Sequence, residues 1–337
     1  IFVLSVLAAA FSLEMKVETR LAQNSGSDQQ LFWLGRSGVE LARWVLAQEA
    51  SIPGEPYDSL NQIWAGGSGS PGETNSPLAG ISLDNYAIGN GTVSIKITDL
   101  ERKANINTAS QLELQQALTL MGVDADDISV VSDSILDWID ADDAPRMAGA
   151  ESDYYQGLNP PYYAKNAPID DLSELLLVKG VTQEMYWGSN ATNHPPSKFQ
   201  HQLGFGTAPG QEPDYPFGLV DLFTPFSNGR ININTADTNV LQMIPGVDAA
   251  TAETIVQQRA GPDGVDGTED DTPFRSPNQL SAVGVNASQL GNYCGVRSST
   301  FEVKVTATIG DYHRDFTAIL FRNSGTDIEI LSFYWDQ

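Results

Sequence analysis

The sequence predicts an α+β protein, and three observations carry that expectation. An apolar and then amphipathic run opens the chain, a helical stretch with a carboxylate-rich loop fills its middle, and three alternating segments close it. Helices and strands segregated in this way must bury one face each against the other kind of element.

The elements follow in order. Ile1–Leu13 (IFVLSVLAAAFSL) carries no charge. A membrane span needs about 20 apolar residues, so the run is too short by itself and reads as the tail of a membrane-anchor helix. Glu14–Ala50 continues with a helical pattern: Met15, Val17 and Leu21, then Leu31, Phe32, Leu34, Val39, Leu41, Ala42, Val45 and Leu46. Asn24-Ser25-Gly26-Ser27 is expected to loosen or kink it. A continuous helix over residues 1–48 would span about 70 Å at 1.5 Å per residue. Pro53–Gly80, rich in Gly, Ser and Pro, reads as a long loop. Tyr86–Ile97 alternates as a half-buried strand, and Leu100–Thr108 is expected to return as its hairpin partner through a turn at Asp99–Lys103.

In the middle of the chain, Ile135, Leu136, Trp138 and Ile139 give a helix one apolar face. That helix leads into a loop dense in oxygen ligands: Asp140, Asp142, Asp143, Glu151 and Asp153. Tyrosines and prolines follow, then a second helical run over Ile169–Val178. Asn105-Ile-Asn-Thr-Ala109 recurs as Asn232-Ile-Asn-Thr-Ala236, where Asn and Thr can cap the helix that follows. The repeat reads as two similar strand-to-helix junctions and not as a binding site. Pro195–Asn228 is a further loop. Ala260–Thr272 interleaves Asp263, Asp266, Glu269, Asp270 and Asp271 with glycine, but it lacks the closing bidentate Glu of an EF-hand and reads equally as an exposed acidic turn. The clearest β signal is terminal: Phe301, Val303, Val305, Ala307 and Ile309 alternate with polar residues, Tyr312–Arg322 returns, and Ile328–Trp335 adds a third strand. One face of this meander needs a cover, and the amphipathic part of the N-terminal helix is the natural one.

Composition narrows the functions. The 337 residues are 41% hydrophobic, ordinary for a folded chain, with a formal net charge of −25. The 18 Lys and Arg are scattered, so a phosphate backbone would be repelled, whereas calcium or a cationic protein surface suits the charge. Cys294 stands alone, which excludes an intrachain disulfide and a cysteine-based zinc site. No Gly-x-Ser-x-Gly, phosphate-binding Gly-Lys loop or His-Glu-x-x-His is present, and His194, His201 and His313 share no ligand spacing. Leu203-Gly-Phe-Gly206 lacks the flanking strand and helix of a nucleotide loop. Asp137 and Asp140 at a helix end are too commonplace to read as an acid/base pair. The rival to a non-enzymatic assembly role is nucleic-acid binding: Val240–Arg259, with Pro245-Gly246-Val247 between two helices, looks like a helix-hairpin-helix, with an echo at Gln279–Val285. Asp248, Glu253 and the neighbouring acidic turn oppose it, and a hairpin kept as scaffold is preferred. Asn90, Asn190 and Asn286 head glycosylation-type tripeptides too common by chance to be informative.

Taken in order, these residues resemble the type II secretion system minor pseudopilin K family, also called general secretion pathway protein K. The resemblance covers nearly the whole chain. Its carriers are the apolar start leading into MKVETRLAQN (Met15–Asn24), GVELARWVLA (Gly38–Ala47), the paired NINTA motifs, LDWIDADD (Leu136–Asp143), GAESDYY (Gly149–Tyr155), PPYYAKNAPIDDLSELLLVKGV (Pro160–Val181) and the terminal strands.

The resemblance implies a type IV pilin-like fold, a long N-terminal helix laid on an antiparallel sheet, with a large α-helical domain inserted between strands. It implies four segments: 1–27, the membrane-anchor part of the helix; 28–109, the pilin-like helix and first strands; 110–226, the insert; and 227–337, the return with the hairpin-like segment and the last strands. Members are inner-membrane proteins, single-pass, with the bulk of the chain in the periplasm. They cap or initiate the pseudopilus tip with the I and J minor pseudopilins. Calcium-bound members make Asp140, Asp142, Asp143, Glu151 and Asp153 the Ca²⁺ ligand candidates, since hard oxygens in a flexible loop suit Ca²⁺ over zinc or copper. The competing reading is a solvated acidic surface. Asp137, within the helix, is the weaker candidate.

Overall fold

The computed structural model describes residues 2–188, 215–285 and 291–335. His194, His201, Leu203–Gly206, Asn190, Asn286 and most of the loop expected over 195–228 lie outside them. Along the chain the elements are α1 (Phe2–Glu49), β1 (Tyr86–Ile88), β2 (Gly91–Asp99), β3 (Ala104–Asn105), α2 (Gln111–Met121), α3 (Ala125–Ile139), α4 (Ser152–Gln156), α5 (Gln183–Trp187), α6 (Leu219–Leu222), β4 (Phe223–Thr224), β5 (Ile231–Asn232), α7 (Thr238–Leu241), α8 (Ala249–Arg259), β6 (Cys294–Gly295), β7 (Thr300–Ile309), β8 (Tyr312–Ser324) and β9 (Asp327–Trp335). They form two compact units, one of residues 1–99, 265–271 and 300–337, the other of 100–264 and 272–299.

In the first unit α1 runs without a break through Asn24–Ser27, against expectation. Gly26 costs about 1 kcal/mol relative to alanine, too little to interrupt a helix already nucleated on both sides. Early in the helix Val3, Phe11, Leu13 and Met15 are exposed. Among the described residues no helix is long and apolar enough to cross a membrane. Further on, Leu31, Leu34, Val39, Ala42, Val45 and Leu46 are buried, one stripe at i, i+3, i+4 spacing.

That stripe lies on a five-stranded antiparallel sheet of order β1-β2-β7-β8-β9. Pairing Val93↔Ala307, Ile95↔Val305 and Ile97↔Val303 sets the inward residues of β2 and β7 side by side, and Phe316, Ala318 and Leu320 of β8 extend the same buried face. Helix and sheet approach so closely that only glycine fits at two positions: a Cβ on Gly35 would overlap the Phe316 ring, and one on Gly38 would lie 2.5 Å from Val305 Cγ1. The stretch over 53–80 is a loop, as read, but a packed one. It buries Trp64 and Leu78, and Trp64 sits edge-on to Phe301 with centroids 5.3 Å apart. Arg322 and Asp58, both buried, pair at 2.5 Å.

The first strands differ from the sequence reading. Tyr86–Ile97 divides into β1 and β2 around Gly89, which turns at φ 59°. The main partner of β2 is β7, with Asp99 opposite Phe301, and not Leu100–Thr108. Leu100–Arg102 is a 3₁₀ turn instead. The reason lies in Glu101, fully buried, whose carboxylate accepts from the backbone N–H of Ser299 and from Ser299 Oγ at 2.7 Å.

The second unit repeats one design. β3 pairs in parallel with β4, and β5 in parallel with β6. In the first copy Asn107 accepts from the Ile169 N–H at 2.7 Å and donates to the Ile169 carbonyl at 3.0 Å. In the second, Asn234 makes the same two bonds with Phe274, at 2.8 and 2.9 Å. Each clamp precedes a helix–turn–helix (α2, Gly122, α3 and α7, Gly246, α8) whose glycine has φ near +84°. Three residues past each clamped residue a 3₁₀ segment begins, Leu172–Leu177 and Pro277–Val283, each with a capping box. Within Ile169–Val178 only Leu172–Leu177 is helical, as a 3₁₀ segment and not the α-helix expected, and it ends where Val178 is extended and Gly180 turns at φ 84°. The NINTA motifs do mark equivalent strand-to-helix junctions, with tertiary clamps added, but the helix N-caps are Ser110 and Asp237 and not the motifs' Asn or Thr.

Candidate metal centre

The acidic loop is suspended between α3 and α4. Asp124, Asp126 and Asp127 start α3, Val131, Ile135 and Trp138 bury one face of it, and Asp140 is its C-cap. Glu151 is the N-cap of α4, whose Tyr155 is fully buried. An aromatic cluster ties the ends together. Trp138 meets Tyr155 edge-on at 5.3 Å, and Tyr155 stacks on Tyr162 at 5.2 Å.

Two buried acids on α3 hold the loop from below. Asp133 accepts from Ala148 N at 3.1 Å and from Gln111 Nε2 at 2.7 Å. Asp137 accepts from Arg146 N and, at 2.7 Å, from Arg146 Nη1. Arg146 Nη1 also reaches Asp140 Oδ2 at 2.5 Å, so one guanidinium bridges both acids. Gly149 must lack a side chain because its Cβ would overlap the Asp137 carboxylate. Lys179 Nζ donates to the Ala148 and Gly149 carbonyls at 3.3 and 3.1 Å.

Of the five residues singled out, the structure brings three together. Asp140, Asp142 and Glu151 each offer a carboxylate oxygen, and these oxygens lie within 4.8 Å of one another. Two oxygens bound to one Ca²⁺ at about 2.4 Å lie at most about 5 Å apart, so the spacing fits a common ion. Asp143 is committed elsewhere, accepting from Ser152 Oγ at 3.1 Å and Asn166 Nδ2 at 2.9 Å. Asp153 is exposed in the first turn of α4, outside the triad.

The donor set has the properties of a cation cradle. Glu151 is only 4% exposed, yet neither of its oxygens meets a hydrogen-bond donor. Asp140 Oδ1 and Asn166 Oδ1 are also buried without a donor. Burial, with the nearby charges of Asp137, Asp140, Asp143 and Asp142, pushes the Glu151 carboxyl up to about 7. Such carboxylates require either a proton or a cation to neutralise them, and an all-oxygen set favours a hard divalent ion. Sequence reading passed over two residues. Arg146 is a lone cation within a run of acids, and Asn166 shows itself only by its left-handed backbone (φ 47°), which places its amide against Asp142 O at 2.8 Å.

The outcome is a mixed helix-and-sheet protein with three converging carboxylates in a loop of its helical unit. The family described as type II secretion system (T2SS), protein K matches residues 94–188, and the helix-hairpin-helix motif matches residues 227–289. The type II secretion system protein K of Pseudomonas aeruginosa is 24% identical over 98% of this chain and 88% of its own length. That of Aeromonas hydrophila is 27% identical over 55% of this chain and 56% of its own. A chain of the solved GspK-GspI-GspJ complex from the enterotoxigenic Escherichia coli type 2 secretion system has a similar fold: TM-score 0.65, 18% identity, 94% of this chain and 99% of that chain. The chain is thus similar to type II secretion system protein K along nearly its whole length, and carries that family's domain over residues 94–188.

Proposed function

We propose that the chain is a minor pseudopilin that caps or initiates the pseudopilus, a structural role without chemistry. The observation that carries the reading is the protein K match over residues 94–188, which joins β2 to the helical unit, together with a fold likeness over 94% of the chain. The first unit supports a pilin-like description: a helix of 48 residues, about 72 Å long, lies with its later half on an antiparallel sheet. Its early half exposes Val3, Phe11 and Leu13, apolar surface suited to helices of neighbouring subunits or to the inner membrane. The I- and J-type minor pseudopilins of its own secretion system are the proposed partners, by analogy with the solved GspK-GspI-GspJ complex. The bulk of the chain would then lie on the periplasmic side.

Residues 100–299 leave and rejoin the sheet at strands that are direct neighbours. A bulky addition at that point would block the next subunit from stacking, which is the proposed capping device. Replacing 100–299 by a short turn between Asp99 and Thr300 tests it. The variant should be incorporated along the filament, and a variant still found only at one end overturns steric capping. Ca²⁺ is the proposed occupant of the Asp140–Asp142–Glu151 site, where it would neutralise the loop and brace α3 against α4. Added Ca²⁺ should raise Tm and chelator should lower it.

The helix-hairpin-helix match raises nucleic-acid binding as a second reading. In such hairpins the helix N-terminus receives a phosphate, but here the Asp248 carboxylate occupies the N-terminus of α8, accepting from Thr251 N at 2.8 Å. The equivalent turn of α3 carries Asp126 and Asp127. Scaffold use of both hairpins is favoured, and duplex DNA binding at low salt would reverse that.

A further inference from the structure

We propose that Glu49 and Glu73 share a single proton, an acid-to-carboxylate bond that fastens the end of α1 to the packed loop over 53–80 and makes the first unit sensitive to alkali. Glu49 is the last residue of α1 and 2% exposed, and neither of its oxygens meets an N–H or O–H donor. It faces three more acids of the loop, Glu73, Asp58 and Glu55. Each of those is supplied with donors. Glu73 accepts from Ile63 N at 2.8 Å and from Ser70 N. Glu55 accepts from Gly72 N at 2.9 Å, Ser70 Oγ at 2.8 Å and Gln62 Nε2 at 3.3 Å. Asp58 pairs with Arg322 of β8, whose Nη1 also lies 3.5 Å from the Leu46 carbonyl. These donors satisfy the oxygens of the three loop acids and leave none for Glu49. A fourth negative charge on Glu49 would be buried among them, whereas a proton on Glu49 turns the repulsion into a hydrogen bond to Glu73.

The same surroundings, burial first and the Glu73 contact second, push the Glu49 carboxyl up to about 11, from an ordinary value of 4.5. The sign follows from linkage. The folded chain keeps a proton that the unfolded chain has lost, so the folded-to-unfolded ratio falls by up to about tenfold per pH unit above the ordinary value. That decline levels off once Glu49 ionises within the fold.

The test uses the full chain. An infrared difference spectrum of the wild type at pH 8 should show the carbonyl band of a protonated carboxyl, absent from Glu49→Gln. Denaturant titrations at pH 6–9 should show Glu49→Gln gaining over wild type, by up to about tenfold in the folding constant per pH unit. Glu73→Leu should lose stability at every pH, because it removes the acceptor of the shared proton. A missing band at pH 8, or parallel pH profiles for wild type and Glu49→Gln, overturns the proposal. So does a band that vanishes when Na⁺ or Ca²⁺ is added at that pH, since a cation and not a proton would then neutralise the group. The presence or absence of the band in the wild type does not depend on any variant folding.

Discussion

Replacing Gly35 with alanine should destabilise the first unit even though it improves the helix. A methyl group there would overlap the Phe316 ring, lying 2.5 Å from Cε2 and 2.8 Å from Cγ. The ring has little room to retreat. It is fully buried, stacks on Phe333 with centroids 5.5 Å apart and planes 5° apart, and has Phe32 edge-on at 6.4 Å. In an exposed helix Gly→Ala gains about 1 kcal/mol, while forcing an extra carbon into a packed core costs about 1–3 kcal/mol. Contacts this short place the cost at the upper end, for an expected net loss of about 1–2 kcal/mol. Urea denaturation followed by tryptophan fluorescence reads it directly. Gln30→Ala, exposed on the same helix, is the control and should change stability by less than about 0.5 kcal/mol. Phe316→Leu added to Gly35→Ala should cost less than it does alone, because the smaller side chain relieves the overlap. A Gly35→Ala protein more stable than wild type would show that α1 does not lie on the sheet at this depth.

Three further outcomes are expected. Asp58→Ala removes the carboxylate partner of the buried Arg322 guanidinium and should cost about 3–5 kcal/mol by denaturation, and a loss below about 1 kcal/mol would mean that charge is compensated by its other contacts. Asn234→Ala unpairs the Phe274 N–H and carbonyl and should cost about 2–4 kcal/mol, more than Asn107→Ala in the less buried first copy; the reverse ranking would contradict the burial argument. Without metal, Glu151 weakens the fold as pH rises from the ordinary carboxylate range through about 7, because its folded pKa is raised; Ca²⁺ should restore that loss and bind more tightly at pH 8 than at pH 6. Glu151→Gln should flatten both dependences in calorimetric titrations, and an unchanged pH profile would remove Glu151 from the site.

How much of this was legible depended on whether side chains or backbone carried the information. The stripe from Leu31 to Leu46 and the alternation from Phe301 to Ile309 are side-chain periodicities, and they located the helix face and the sheet correctly. Two-residue ladders such as Ala104–Asn105 with Phe223–Thr224 are too short to have a period. Leu100–Thr108 alternates well enough to pass for a strand, and only Glu101, clamped by Ser299 far along the chain, decides otherwise. The NINTA repeat was visible as text, but its partners are backbone atoms of Ile169 and Phe274, which any residue could supply. At the acidic loop the composition announced oxygen ligands. Which of them converge depends on where α3 ends and α4 begins, and that geometry aims Asp140, Asp142 and Glu151 together while Asp143 and Asp153 go elsewhere.

The measurement that bears most directly on the assembly role is co-expression of the chain with the I- and J-type minor pseudopilins of its own secretion system, followed by size-exclusion chromatography with light scattering. The account predicts that all three elute together as one complex. Elution of the chain alone, with the other two proteins paired without it, would contradict it.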